Sequence, residues 1–368
     1  MYFAFLGHQP KLSLLELQAL TGVEPVLVLP NIASLPTSST IIEVADKLGG
    51  TSKIAEAVVE VSPSATLDKL LELIIASPAK NIALSNYTSL ETSPSVVRKL
   101  KEQVTASRPV RFVSFLTRDH ELLMLKKKHV DEFSLIPLKN NIVIAKTVWI
   151  YDSLAWAFRD RRRPYQNIKK GMLPLKIARL MVNLAVRGRE GLTVLDPFCG
   201  TGTILAEAIL VGSNVVGSDQ DPVAVRGSQE NLAWIKAKTP LETNFQIFSA
   251  DATHVDKNIS TVDCIVTEPY LGPLLDSRGS LPRQKVKDIA KGLEKLYRGA
   301  LKNWFKLLST QPGSRVVIII PEFHLEGQII PTLSLDTIQA LGYNCLLSVA
   351  YNKPGATVVR NIIVLEKS

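Results

Sequence analysis

The chain has 368 residues, 46% hydrophobic and 21% charged, with 20 Gly and 21 Pro; at about 150 residues per domain that is enough for two cores, and the balance excludes disordered, collagen-like and low-complexity classes. Three widely spaced cysteines, Cys199, Cys264 and Cys345, form no Cys-x-x-Cys pair, so a reducing, cytoplasmic compartment is expected and neither a disulfide framework nor a cysteine metal site is. Lys and Arg outnumber Asp and Glu by 43 to 34, a formal charge of +9, which favours a polyanionic partner.

Residues 1–13 lack a basic region ahead of an apolar stretch, so no signal peptide is expected. The longest aliphatic runs, such as 316–320, fall far short of the roughly 20 residues of a membrane helix, and no membrane partner is expected. Residues 1–150 read as an α+β region. Amphipathic helices over 13–20 and 67–76 are mixed with strand-like pieces at 110–116 and 142–148, and Pro/Ser-rich turns fall at 30–39 and 93–95. A basic connector follows over 151–172. From 173 to 368 the pattern becomes regular: strands at 192–195, 214–218, 245–249, 264–267 and 316–320 alternate with helices at 201–211, 222–237 and 286–308. Such alternation implies a Rossmann-like α/β domain, a parallel sheet covered by helices on both faces. A terminal antiparallel hairpin, 346–349 with 357–365, turns at Asn352-Lys353-Pro354-Gly355.

The positive charge is concentrated. Between Arg159 and Arg189 ten basic residues face one acid, Asp160, and that window alone carries the excess of the whole chain. Arg159, Arg161, Arg162, Arg163, Lys169 and Lys170, interleaved with Tyr165, Gln166 and Asn167, suit a nucleic-acid backbone through direct pairing and counterion release. A solvated helix face has the same composition, so charge alone leaves both readings open.

The informative segment begins where the strand at 192–195 runs into Asp196-Pro197-Phe198-Cys199-Gly200-Thr201-Gly202-Thr203. Glycines after a strand allow a sharp turn and close approach of a ligand. Leu205 stands where the third glycine of a dinucleotide fingerprint would be, and no Lys-Ser/Thr follows, so neither a dinucleotide site nor a phosphate loop is written here. Asp196 sits at the strand tip, where it repels phosphate and favours a cation. A nucleoside cofactor with an ammonium, a sulfonium and no phosphate fits: S-adenosylmethionine. The next strands end at Asp219, placed to accept from ribose hydroxyls, at Asp251, placed for an adenine amine, and at Glu268. Four successive strands thus end in carboxylates, all on the edge where such sheets bind ligands.

Asp-Pro-Phe-Cys-Gly-Thr-Gly-Thr at 196–203 together with Thr-Glu-Pro-Tyr-Leu-Gly at 267–272 resembles the class I methyltransferases that methylate amines, which carry Asn/Asp-Pro-Pro-Tyr/Phe after the fourth strand. The likeness is greatest to RNA methylases linked to a THUMP domain, especially the tRNA guanosine-10 N2-methyltransferases. Further similar passages are 2–20, Leu48-Gly49-Gly50-Thr51-Ser52-Lys53-Ile54, Arg159 to Pro164, and Gly171-Met172-Leu173-Pro174-Leu175-Lys176 leading to 181–185. The resemblance implies that Pro174, Asp196, Phe198, Gly200, Gly202, Thr203, Asp219, Gln220, Asp251 and Ala252 hold S-adenosylmethionine, and that Glu268, Pro269 and Tyr270 form the catalytic tip. It implies a THUMP-like half from about Lys47 that grips the acceptor end of tRNA. A monomer is expected, and a small activator subunit, which some family members need, is a further expectation open to test. Glu268 replaces the family's shorter Asp or Asn, and Tyr270 takes the place of its second proline. Two other readings fit the same residues: an RNA-binding module that keeps the cofactor without transferring methyl, and a DNA adenine-N6 methyltransferase. His8, His120, His129, His254 and His324 show no ligand spacing, and no metal is expected.

Overall fold

The computed structural model describes every residue except 91–93, 116–118, 167–171, 274–281, 326 and 352–355; the turn predicted at 352–355 and part of that at 93–95 therefore lie outside the described residues. The chain divides into two compact units, Met1–Asp46 with Gly50–Ala157, and Lys47–Gly49 with Phe158–Ser368.

The first unit is built on one eight-stranded sheet. Its elements are β1 (Tyr2–Leu6), α1 (Pro10–Thr21), β2 (Val26–Leu29), β3 (Ile32–Leu35), β4 (Thr51–Val61), α2 (Thr66–Ala76), β5 (Asn81–Asn86), α3 (Pro94–Ser107), β6 (Arg111–Phe115), α4 (Asp119–Lys127), β7 (Val130–Leu138) and β8 (Asn141–Ile150). The strand order is β2-β3-β1-β4-β8-β7-β5-β6; β5 runs parallel to β6 and β7, and the other neighbours are antiparallel. Helix α1 opens with Pro10 in its first turn, where a missing N–H is harmless, and stops at Gly22 with φ 70°. Leu70 and Ile74, one turn apart on α2, pack with Val104 onto Ile82, Leu84, Phe133 and Ile144. A buried ion pair interrupts the apolar interior. The Glu132 carboxylate accepts from Lys53 Nζ, Ser85 Oγ and Thr147 Oγ1, each at 2.5 Å, and Lys53 Nζ also lies 4.2 Å from the centre of the Phe5 ring.

Helix α5 (Ser153–Arg161) runs across the division of the chain. The second unit then contains α6 (Leu175–Val186), β9 (Thr193–Asp196), α7 (Thr203–Leu210), β10 (Asn214–Asp219), α8 (Pro222–Lys236), β11 (Phe245–Ser249), β12 (Cys264–Thr267), α9 (Arg283–Leu307), β13 (Arg315–Leu325), β14 (Gln328–Pro331), α10 (Leu335–Ala340), β15 (Tyr343–Tyr351) and β16 (Val358–Lys367). The sheet order is β11-β10-β9-β12-β13-β16-β15. The first five strands are parallel; β16 runs antiparallel between β13 and β15. This is the expected doubly wound sheet ending in an antiparallel hairpin. Strand order reverses at β9, the position where open α/β sheets leave a ligand crevice beyond their carboxyl ends. Helix α9 buries Val286, Ala290, Leu293, Tyr297, Ala300, Leu301, Trp304 and Leu307, a continuous 3.6-residue stripe, against β13 and its neighbours. Among the described residues no helix is long and apolar enough to cross a membrane.

Candidate active site

The four acids read from the sequence occur where β9, β10, β11 and β12 end, on one edge of four adjacent strands. Between the neighbouring tips of β9 and β12, Thr267 Oγ1 donates to Asp196 Oδ1 at 2.7 Å, and Phe198 N reaches the same oxygen at 3.1 Å. Asp196 is only 2% exposed. Burial, aided by the charges of Asp219 and Glu268, pushes its carboxyl up to about 7 against the two hydrogen bonds. Asp196 is therefore a strand-tip knot beneath the turn as well as a source of negative potential.

The glycine turn is held from β10. Cys199 N donates to Ser218 O at 2.9 Å and Gly200 N to Asp219 Oδ2 at 3.0 Å. Gly202 has φ +77° and a Cβ there would lie 2.6 Å from Ser228 Oγ, so glycine is required on two counts. Gly200 has φ +50°, and a Cβ there meets nothing nearer than Phe198 O at 4.0 Å, so its backbone can be approached. Phe198 packs edge-on to Trp304 at 6.3 Å. Asp219 Oδ1 takes Asp221 N at 2.9 Å, and Asp221 in turn caps α8 through Val223 N. Each Asp219 oxygen keeps a further lone pair.

Gln220, just past β10, and Asp251, just past β11, are exposed. Thr253 N and Oγ1 both donate to Asp251 Oδ1 at 2.8 Å, and the backbone bond holds that carboxyl below the usual range. Ala252 is buried and its carbonyl accepts from Trp304 Nε1 at 2.9 Å. Pro174 caps α6, its carbonyl accepting from Ile177 and Ala178 N. Thr203 opens α7. These residues present acceptors and approachable backbone, which suit a cationic, phosphate-free nucleoside, so they fit S-adenosylmethionine.

At β12 the Glu268 side chain is 21% exposed and Arg360 Nε lies 3.5 Å from its Oε1. Burial raises its carboxyl, with Arg360 opposing. Pro269 is buried, and Tyr270 is 57% exposed with its carbonyl accepting from Tyr297 Oη at 2.7 Å.

The basic residues divide. Arg161 and Arg162 are exposed. Arg163 is 8% exposed, donating to Thr203 Oγ1 at 3.0 Å and to Asp160 Oδ1 at 3.1 Å. Arg159 Nε pairs with Glu207 at 3.2 Å, and the same buried carboxylate takes Arg179 at 2.6 Å. Both guanidiniums, Arg159 and Arg163, engage groups of the second unit and so brace it from inside. Lys169 and Lys170 lie outside the described residues. Asn231 completes the brace, bonding both N and O of Tyr165 and also Thr201 O, each at 2.9 Å.

Sequence reasoning missed Thr267, Asn231, Tyr297 and Arg360. The first belonged to a quoted motif and could have been found; the others are single polar residues within helices or a strand and carry no local signal.

Residues 161–323 match the family model described as RMKL-like, methyltransferase domain. The second unit has the Rossmann-like α/β architecture expected of a methyltransferase domain, five parallel strands ending in an antiparallel hairpin. The methyl donor of such methyltransferases is S-adenosylmethionine, and relatives named tRNA (guanine(10)-N2)-dimethyltransferase are similar to part of this chain. The tRNA (guanine(10)-N2)-dimethyltransferase of Methanothermobacter thermautotrophicus is 38% identical over 165 residues, 45% of this chain and 43% of that one. That of Methanocaldococcus jannaschii is 34% identical over 39% and 42% of the two chains, and that of Pyrococcus abyssi 28% over 56% and 52%. The chain spans about half the length of these curated relatives. A second family model, described as DNA methylase, matches residues 74–230 and ends before Thr267. A solved structure described as a possible methylase from Clostridium difficile 630 is similar over 98% of this chain and 97% of its own, at 16% identity and a TM-score of 0.49.

Proposed function

We propose that this chain transfers a methyl group from S-adenosylmethionine to the exocyclic N2 amine of a guanosine in tRNA, position 10 being favoured by the names of its relatives. The observation that carries the reading is the joined pair of strand tips: the glycine turn after β9 and the Glu268-Pro269-Tyr270 tip after β12, linked by Thr267 and Asp196.

When bound, the cofactor supplies an electrophilic methyl on a sulfonium. Asp219 is assigned the ribose hydroxyls, Asp251 the adenine amine, and the buried Asp196 the field that favours the cationic end. Glu268 accepts an N–H of the target amine and the Pro269 carbonyl is available for the other, which points the nitrogen lone pair at the methyl carbon. The amine nitrogen so held would accept the methyl carbon that the cofactor would supply, the carbon–sulfur electron pair remaining on sulfur, and would then lose one proton to solvent. Such catalysis is positioning with exclusion of water. The exposed Tyr270 ring is suited to stack on the base. In the same reading the first unit grips the tRNA acceptor end, Arg161 and Arg162 contact backbone phosphates, and the enzyme works in the cytoplasm.

Incubation with labelled S-adenosylmethionine and unmodified tRNA, followed by mass spectrometry of the nucleosides, tests this. N2-methylated guanosine is expected; label found only in adenosine, or only in DNA offered alongside, would overturn it.

A further inference from the structure

Glu268 is one methylene longer than the acid or amide the amine-methylating motif carries, and an unrestrained carboxylate would reach about 1.5 Å further into the crevice. The neighbouring strands show what restrains it. Thr267 lies beside Ile318 of β13, and Ile318 beside Ile363 of β16. Because β16 runs antiparallel, Arg360 lies three residues, about 10 Å, further toward the ligand edge, opposite Pro321 and Tyr351. From there its side chain, 44% exposed, crosses the sheet edge and brings Nε to 3.5 Å from Glu268 Oε1.

We propose that Arg360 is a positioning residue for methyl transfer: its guanidinium holds Glu268 Oε1 at the sheet edge, so that the longer acid offers Oε2 to the target amine at the depth a shorter acid would. The inference rests on the methyltransferase reading above. The groups facing Glu268 are Asp196 from β9, Tyr297 from α9, Tyr351 from β15 and Arg360 from β16. Among the described residues Arg360 is the cation of this set, and its charge opposes the burial that raises the Glu268 carboxyl; an ionised acceptor makes the stronger hydrogen bond. The contact is a single approach of Nε to Oε1, and the guanidinium stays charged at any working pH while its Nε–H points in a fixed direction, where a lysine ammonium acts as a point charge.

The test uses the full chain with Arg360→Gln and Arg360→Lys, each with and without Glu268→Asp. A displacement near 1 Å can cost about 100-fold in rate, so Arg360→Gln should lower kcat about 10- to 100-fold with KM for tRNA and for S-adenosylmethionine unchanged. The acid limb of its kcat profile should move to higher pH, because the removed charge opposed protonation. Arg360→Lys should recover part of the rate, and in the Glu268→Asp background Arg360→Gln should cost less. Wild-type kcat and pH profile in Arg360→Gln would overturn the proposal; so would a rise confined to KM for tRNA, which would make Arg360 a phosphate contact. A chain that methylates no RNA would remove the functional reading, and the tether then stands or falls on the Glu268 carboxyl titration followed by carbon-13 NMR. A higher pKa in Arg360→Gln supports it, and an unmoved one overturns it.

Discussion

Replacing Asp219 by Ala should strike the cofactor site at its most connected point. One oxygen holds Gly200 N at 3.0 Å and the other Asp221 N at 2.9 Å, and the remaining lone pairs are the ones assigned to the ribose. The Ala variant therefore removes a ligand acceptor and releases the backbone of the glycine turn together. A buried ligand hydroxyl left without an acceptor costs about 1–3 kcal/mol, a rise in Kd for S-adenosylmethionine of roughly 5- to 150-fold. Asp219→Asn keeps one acceptor oxygen and should fall between wild type and Ala. Calorimetric titration with S-adenosylmethionine reads the affinities, and thermal melts of the same samples separate ligand loss from a loosened α8. Unchanged affinity in both Asp219→Ala and Asp196→Ala would refute the assignment of this edge to the cofactor.

Burial holds Asp196 near 7, and a cationic ligand favours its ionised form, so S-adenosylmethionine affinity should rise with pH through about 7 and level off above it; calorimetry in buffers of different ionisation enthalpy should show proton release near that pH, abolished in Asp196→Asn. The same raised carboxyl is a liability to the free protein, whose folding stability should fall between about pH 4, where the unfolded carboxyl ionises, and about pH 7. Arg161→Ala/Arg162→Ala should weaken tRNA binding and reduce its logarithmic salt slope by about one per lost contact, read by filter binding. Arg163→Ala should leave that slope alone and lower the melting temperature, because its partners are Thr203 and Asp160. Glu132→Ala strands a buried Lys53 without its carboxylate and should destabilise the first unit by about 3–5 kcal/mol, measured by denaturant unfolding.

The second unit was largely legible because its strands are short β-branched runs and its helices keep a 3.6-residue stripe. Strands 245–249 and 264–267 were predicted to the residue, and α9 within a few residues. Helix α6 escaped prediction as an element although Lys176, Arg179 and Asn183 stand at helical spacing, because Arg179 and Asn183 are buried with its apolar residues and bond groups distant in sequence. In the first unit β7 hides its pattern by turning Glu132 and Ser134 inward, and the partners of Glu132 lie on β4, β5 and β8. The acids at the strand tips could be read because each stands at its strand's last residue or within two residues beyond it. The braces could not: Arg163 meets Thr203 40 residues on, and Arg360 meets Glu268 from a strand two places away in the sheet. Charge clustering singled out 159–163 as a surface, whereas Arg159 and Arg163 in fact neutralise and bond groups inside the fold.

The most direct measurement is the single-turnover rate of methyl transfer to guanine N2 in tRNA, wild type against Glu268→Ala, with both binding affinities determined alongside. A contact made mainly near the transition state should show as a rate loss of about 2–4 kcal/mol, roughly 30- to 1,000-fold, with S-adenosylmethionine and tRNA bound as before. Glu268→Gln, which retains an acceptor oxygen, should lose less. A wild-type enzyme that forms N2-methylguanosine and a Glu268→Ala variant that forms it at the same rate would contradict the placement of the catalytic tip after β12.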